Sequence, residues 1–273
     1  MQFCPALYAY QPRSRLIMTD AVNTLESVNS SSDIDHLNRL AGIVILAGGA
    51  SKRMGSPKAE LMLPTNERLL DYHVRQALQL SAATTYNLPI MIADNGRGFG
   101  INPDLILNNP QVPIIHITDY LSVNDFASND NEQSETGGAL VAIEAALQYL
   151  TSSMIMQSTN AANSYASWLM VISCDSLIAA TDLWKKLQPY ITQAVDKSVI
   201  CLTDEHHLYP LLGIYRLSIE PDLKHYIDDG QRQVMKFIQP IVQPVTFSKD
   251  WQSLTNFNTP KDFERACIAL RHL

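Results

Sequence analysis

The sequence predicts an α/β fold: a doubly wound, mostly parallel sheet with helices on both faces. Three observations predict it. Short apolar runs that suit strands alternate with segments whose apolar residues fall at helical spacing. The early apolar runs each stop on glycine, asparagine or aspartate, and in parallel sheets the residues just past the strand ends meet ligands. The length, 273 residues, is enough for one large domain of this class or two small ones.

The elements follow in order. Residues 1–39 include the polar tract Asn29-Ser30-Ser31-Ser32-Asp33 and no secretory leader, and are expected to be a flexible N-terminal extension ahead of a single domain over 40–273. The first strand is Ile43–Ala47, running out into Gly48-Gly49. Leu69–Leu80 carries Leu69, Leu70, Val74, Ala77 and Leu78 on one helical face. Residues 89–93 form a second strand closed by Asp94-Asn95-Gly96, and 113–117 a third closed by Thr118-Asp119. The polar, acidic stretch 122–135 reads as a surface loop. Gly138–Leu150 is a helix, and 151–164, rich in Ser, Thr and Asn, is expected to be a loose insertion. Trp168–Ile172 is a strand that stops at Ser173-Cys174-Asp175. Beyond it lie a helix over about 182–192, strands over 198–202 and 210–215, helices over 219–228 and 232–238 split by Asp229-Gly230, and a strand over 242–247. A terminal helix opens at Pro260 with Thr259 as its cap.

Composition excludes several classes of function. The net charge is −7 with no long basic run, which argues against nucleic acid or an anionic membrane as partner. No apolar run approaches the ~20 residues of a membrane span. Cys4, Cys174, Cys201 and Cys267 are scattered without a C-x-x-C pair, which suits a reducing cytoplasm and argues against disulfides or structural zinc. His206 and His207 are adjacent, so on a strand or helix they face apart, which argues against a shared metal.

The most informative stretch is 43–58. After four apolar residues, Ile43 to Leu46, the chain turns at Gly48-Gly49 and gathers Lys52, Arg53 and Lys58 within seven residues. Paired glycines let backbone N–H groups approach a ligand, and the cations make that ligand an anion, so the loop reads as a triphosphate cradle. It is not a P-loop: five residues separate Gly49 from Gly55, and Ser56-Pro57 follows instead of Lys-Ser/Thr. It is not the dinucleotide fingerprint either, since the glycines are adjacent and Pro57 interrupts. Asn95, Asp119 and Asp175 follow other strand ends on the same expected edge. An unpaired carboxylate at the end of an apolar strand is costly, so Asp175 reads either as an Mg²⁺ ligand or as a turn former. Lys58 is the candidate transition-state cation, and the planar fork of Arg53 suits the outer phosphates. Asp119 reads as an acceptor for guanine N–H groups or a ribose hydroxyl, or as a turn residue. Lys52 reads as a phosphate contact or as a solvated side chain.

Leu-Ala-Gly-Gly-x-Ser-x-Arg-Met-Gly-x-x-Lys, from Leu46 to Lys58, resembles the phosphate loop of the MobA family, the molybdenum cofactor guanylyltransferases. Residues 117–121, Ile-Thr-Asp-Tyr-Leu, resemble the family's nucleotide-contacting segment, Gly138-Ala139-Leu140 its Gly-Pro-Leu helix start, and Cys174-Asp175 its magnesium-binding Cys-Asp. Gly230-Gln231-Arg232-Gln233-Val234 resembles Gly-Glu-Arg-Arg-Val, and Asn256-Phe257-Asn258-Thr259-Pro260 resembles Asn-x-Asn-Thr-Pro. Departures are Leu177 for Pro, Ala139 and Ala142 for Pro and Gly, Ala93 where some members have Asn, and Tyr209 for His.

The resemblance implies a Rossmann-like nucleotidyltransferase fold whose N-terminal part binds GTP and Mg²⁺ and whose C-terminal part binds molybdopterin. It implies transfer of GMP from GTP to Mo-molybdopterin with release of pyrophosphate. Catalysis would rest on Lys58, Arg53 and Asp175, with Asp175 as the metal ligand. GTP would be bound by Leu46, Ala47, Gly48, Gly49, Lys58, Asn95, Asp119 and Asp175. The acceptor would be bound by Tyr209, Arg232, Asn256 and Asn258. Implied partners are molybdopterin-insertion proteins or molybdoenzyme chaperones. The alternatives are a molybdopterin cytidylyltransferase, a sugar- or polyol-phosphate nucleotidyltransferase, and a non-catalytic nucleotide- or pterin-binding module.

Overall fold

Seven strands form one sheet in the order β3-β2-β1-β4-β6-β5-β7, in a computed structural model that describes residues 39–49, 51, 53–84, 86–121, 138–157 and 167–272. The expected extension up to residue 38, the loop 122–135, the second half of the expected insertion and Lys52 lie outside the described residues. Everything below belongs to one compact unit, His36–Leu273.

The strands are β1 Leu40–Leu46, β2 Ile90–Ala93, β3 Ile114–Ile117, β4 Trp168–Ser173, β5 Val199–Thr203, β6 Leu208–Arg216 and β7 Val242–Thr246. β1 runs parallel to both β2 and β4, β2 parallel to β3, and β5 parallel to β7. Only β6 is antiparallel to its neighbours, β4 and β5. Residues 204–207, which join β5 to β6, are too few for a crossover, so the chain must fold back as a hairpin. The sheet is thus mostly parallel, as the alternating pattern predicts.

Register decides where the site is. Leu46 pairs with Ala93 on one side and Ser173 on the other, and Ala93 pairs with Ile117. Four parallel strands therefore end level, and the residues that follow them emerge along one edge.

Alternate residues of each strand enter opposite cores. Ile43 and Ile45 pack with α1 (Leu69–Ala82) and α4 (Ala180–Leu187), while Val44 packs with α3 (Ala139–Gln157) and α5 (Glu220–Asp228). Each such fully buried aliphatic side chain contributes about 1.5–3 kcal/mol. The remaining helices are α2 Pro103–Leu107, α6 Val234–Ile238, α7 Lys249–Gln252 and α8 Pro260–Leu270, with a 3₁₀ turn at Lys58–Glu60.

Several boundaries differ from the sequence expectation. α3 does not stop at Leu150 but continues to Gln157, taking in the first half of the expected insertion. Thr151 Oγ1 donates to the Leu147 carbonyl at 3.0 Å and Ser153 Oγ to the Tyr149 carbonyl at 2.7 Å, so these hydroxyls bond within the helix rather than ending it. The helix expected over 182–192 is α4, followed by a 3₁₀ turn at Gln188–Tyr190 that contains Pro189. α2 was not anticipated, although Asn102 caps it and Pro103 opens it. At α8 the expected cap is present as a capping box between Thr259 and Asp262.

Candidate active site

The level strand ends open into a cleft of about 700 Å³, a size suited to a small-molecule ligand. Its described lining includes Leu46, Ala47, Gly48, Gly49, Arg53 and Lys58 from the loop after β1, Asn95 after β2 and Asp119 after β3. Asp175 after β4, the start of α3, Leu211 and Asn258 also line it. The N-terminal end of a 19-residue helix adds a partial positive charge at Gly138 and Ala139.

The glycine loop is built by its own sequence. The Ala47 amide donates to the Ala93 carbonyl at 2.8 Å, pinning the loop to β2. At Gly48 an added Cβ would stand 2.9 Å from Asn95 Cβ and 3.2 Å from the Asn95 nitrogen, so a side chain there would displace the neighbouring turn. Gly49 offers its carbonyl to Arg97 Nη1 at 2.9 Å. Ser51 adopts a left-handed φ of 47°, and its Oγ accepts from the Lys58 amide at 3.2 Å, closing the loop. Met54 is buried and anchors the turn, while Arg53 stays exposed on the cleft wall.

Lys58 and Asp175 meet. Lys58 Nζ lies 3.5 Å from Asp175 Oδ2 and 2.9 Å from Asn258 Oδ1, and 5.8 Å over the Phe257 ring. The two charged side chains are 14% and 27% exposed. At this spacing their attraction is about 5 kcal/mol before desolvation, for an effective dielectric near 20. At a strand end the sequence predicts Asp175 as a carboxylate without a partner. That premise is corrected: Lys58 already neutralises it.

The turn carrying Asp175 is held from both sides. The Phe257 amide donates to the Asp175 carbonyl at 3.1 Å and the Leu177 amide to the Leu254 carbonyl at 2.8 Å. Tyr72 Oη donates to the Leu177 carbonyl at 2.8 Å from α1. Beneath it His73 is fully buried, and burial pushes its imidazole down to about 4, so it stays neutral.

Asn95, at φ 56°, projects from the turn after β2. The turn is fixed by Asp94, which is not among the site residues expected from the sequence. Its buried carboxylate accepts from the Phe99 amide at 3.0 Å and lies 3.1 Å from His116 Nδ1. Asp94 stands directly at a strand end, and that position was the signal available. Asp119 feels it: burial, and then the charge of Asp94, raise the Asp119 carboxyl above its ordinary value.

The other expected acceptor residues are placed differently. Tyr209 Oη donates to Asp204 Oδ2 at 2.6 Å and its ring sits edge-on to Phe247, outside the cleft lining. Burial and that carboxylate raise the phenol to about 12. Arg232 Nη1 donates to the Ile227 and Gln231 carbonyls at 2.6 and 2.9 Å, closing the end of α5. Asn256, at φ 54°, lines a second recess of about 330 Å³ together with Thr255, Asp262 and Arg265. The rings of His206 and His207 are 6.2 Å apart and nearly perpendicular. Among the described residues no group of three or more His, Cys, Asp or Glu could hold a metal by itself, and no helix is long and apolar enough to cross a membrane.

This geometry has relatives. The profile of the MobA-like NTP transferase domain matches residues 43–244. A Synechococcus elongatus protein named "Probable molybdenum cofactor guanylyltransferase" is 25% identical over 228 residues, covering 81% of this chain and 95% of that protein. A molybdenum cofactor guanylyltransferase of Yersinia pestis is 24% identical over 222 residues, covering 80% and 91%. Among solved structures, molybdopterin-guanine dinucleotide biosynthesis protein A from Archaeoglobus fulgidus superposes with a TM-score of 0.55 at 18% identity, covering 85% of this chain and all of that one. A Bacillus anthracis protein assigned as a glucose-1-phosphate thymidylyltransferase gives 0.51 at 13% identity, covering 85% and 96%. These superpositions show a shared nucleotidyltransferase fold. The profile match spans most of the chain, and the chain belongs to the MobA-like NTP transferase family of nucleotidyltransferases.

Proposed function

We propose that the protein transfers GMP from GTP to Mo-molybdopterin, releasing pyrophosphate and forming the guanine dinucleotide cofactor. The observation that carries this reading is the meeting of Lys58, Asp175 and Asn258 in one cleft that also holds the glycine loop. The names of the relatives in Synechococcus and Yersinia support the choice of base and acceptor.

In this reading the terminal phosphate oxygen of the acceptor attacks the α-phosphorus of GTP, and the bond to the bridging oxygen of the β-phosphate breaks in line. The backbone of Leu46, Ala47, Gly48 and Gly49 cradles the triphosphate, and Arg53 clasps its outer oxygens. Lys58 faces the α-phosphoryl oxygens, where charge accumulates. Asn95 and Asp119 meet the nucleoside. The desolvation that raises the Asp119 carboxyl is relieved by guanine N–H donors, which favour its ionised form.

Mg²⁺ fits the donor set, because it is held by one or two carboxylates with phosphate oxygens and water completing the octahedron, and Asp175 supplies one carboxylate at the cleft. When bound it would neutralise phosphate charge and orient the leaving pyrophosphate. Asn256, Asn258, Tyr209 and Arg232 are assigned to the acceptor side. The buried thiols Cys174, Cys201 and Cys267 suit a reducing cytoplasm, where insertion proteins or molybdoenzyme chaperones would take the product.

The test is pyrophosphate release with each of the four triphosphates, with and without molybdopterin. Release that requires molybdopterin and is fastest with GTP is expected. Faster release with CTP overturns the choice of base, and release with none of the four leaves a binding module.

A further inference from the structure

We infer that Asn258 is a positioning residue for Lys58: it fixes the ammonium over the cleft and so sets triphosphate affinity before any acceptor arrives. This rests on the reading of Lys58 as the phosphate-facing cation and extends Asn258 beyond the acceptor side.

A lysine ammonium is a compact charge on a flexible four-carbon stem, so its place must be set by partners. Among the described residues Lys58 has two polar side-chain partners within reach, Asp175 at 3.5 Å and Asn258 at 2.9 Å. A metal arriving with the triphosphate would compete with the ammonium for the Asp175 carboxylate. Asn258 is then the partner that remains. Its amide oxygen is neutral and takes one of three ammonium protons, so the positive charge and two donors stay available to phosphate.

The orientation of that amide is dictated locally. Asn258 Nδ2 donates to the Asn256 carbonyl at 3.1 Å and to Asn256 Oδ1 at 2.9 Å, so Oδ1 is the end turned to Lys58. Asn256 can present both oxygens because it sits in the left-handed region. The Asn258 backbone is held in turn: Asp262 Oδ2 accepts from the Asn258 amide at 3.4 Å and from the Thr259 amide at 3.1 Å within the cap of α8. Phe257, between the two asparagines, bonds the Asp175 carbonyl through its amide and lays its ring under the ammonium. Every residue of Asn256-Phe257-Asn258-Thr259 thus has a part in placing one cation, while an acceptor-only role for Asn258 requires none of these bonds.

The two roles separate when no acceptor is present. Nucleotide dissociation constants are measured by calorimetry with Mg²⁺ and no molybdopterin for the wild type, Lys58→Ala, Asn258→Ala and the double variant, each checked for an unchanged melting profile. Asn258→Ala is expected to weaken GTP about tenfold alone, as loss of a hydrogen bond to a charged group does, and by less than about twofold in the Lys58→Ala background. Asn258→Asp, which keeps a partner but cancels the ammonium charge, is expected to weaken GTP more than Asn258→Ala. Additive effects in the cycle, or unchanged GTP affinity in both single Asn258 variants, overturn the inference. If wild type binds another triphosphate more tightly, the guanylyl reading fails and the same cycle run with that nucleotide still decides Asn258. Binding of none of the four overturns both.

Discussion

The two halves of the sheet place their candidate residues differently. In the parallel half, β3-β2-β1-β4, the residues expected after each strand, Gly48, Asn95, Asp119 and Asp175, all reach one cleft. In the half built on the antiparallel β6, Tyr209 and Arg232 make hydrogen bonds within their own neighbourhood, to an aspartate of the β5–β6 turn and to two carbonyls at the end of α5. Parallel strands in register bring every following loop to the same edge, so a sequence rule about strand ends carries over to space. A reversed strand does not extend that guarantee, and residues around it must be located one at a time.

The largest expected effect tests the parallel half. Asp175→Asn should lower turnover by about 10² or more while GTP still binds weakly, because it removes the one carboxylate at the cleft centre assigned to the metal and the charge partner of Lys58. Wild-type turnover in this variant would remove that edge from the chemistry. Arg232→Ala tests the other half and should act less, raising KM for molybdopterin up to about tenfold while the GTP dissociation constant stays fixed. If only the melting temperature falls, Arg232 serves α5 alone and the contrast between the halves sharpens.

The smallest effect concerns the seam between them, where α3 packs on α5. Glu144 of α3 is fully buried, and neither oxygen takes a hydrogen bond of normal geometry. Burial, and then the nearby Glu220 carboxylate, push it up to about 8 from an ordinary 4.5. The folded state therefore holds this proton to higher pH than the unfolded chain does. The stability this lends is complete below about pH 4.5 and is lost as pH rises through about 8. Glu144→Gln should accordingly melt a few degrees above wild type at pH 8.5 and close to it at pH 5, as followed by circular dichroism. An unchanged pH slope would show that another group governs the seam.

What the sequence disclosed follows the range of the forces involved. The strands and the glycine loop were legible because apolar runs and glycine turns act over a few residues, and the cap at Thr259 because its partner is three residues away. The continuation of α3 past Leu150 was hidden because Ser and Thr favour turns until their hydroxyls find a helix carbonyl, as at Thr151 and Ser153. The Asp94–His116 contact joins two strands 22 residues apart and was missed, although it shapes the turn that presents Asn95. Lys58 and Asp175 were each picked out for separate tasks. Their pairing depends on how a 3₁₀ turn and a strand-end turn face each other, which no local pattern records.

The hydrogen bond from Lys58 to Asn258 spans 200 residues. Closing a contact over so many residues carries a loop-closure entropy cost that local helices and turns do not meet. During synthesis the loop at 46–58 and the turn at 175 emerge well before residue 258 does. In the proposed reading, a chain that lacks residue 258 lacks the hydrogen bond that holds Lys58, so the nucleotide affinity assigned to that cation depends on almost the whole polypeptide being in place.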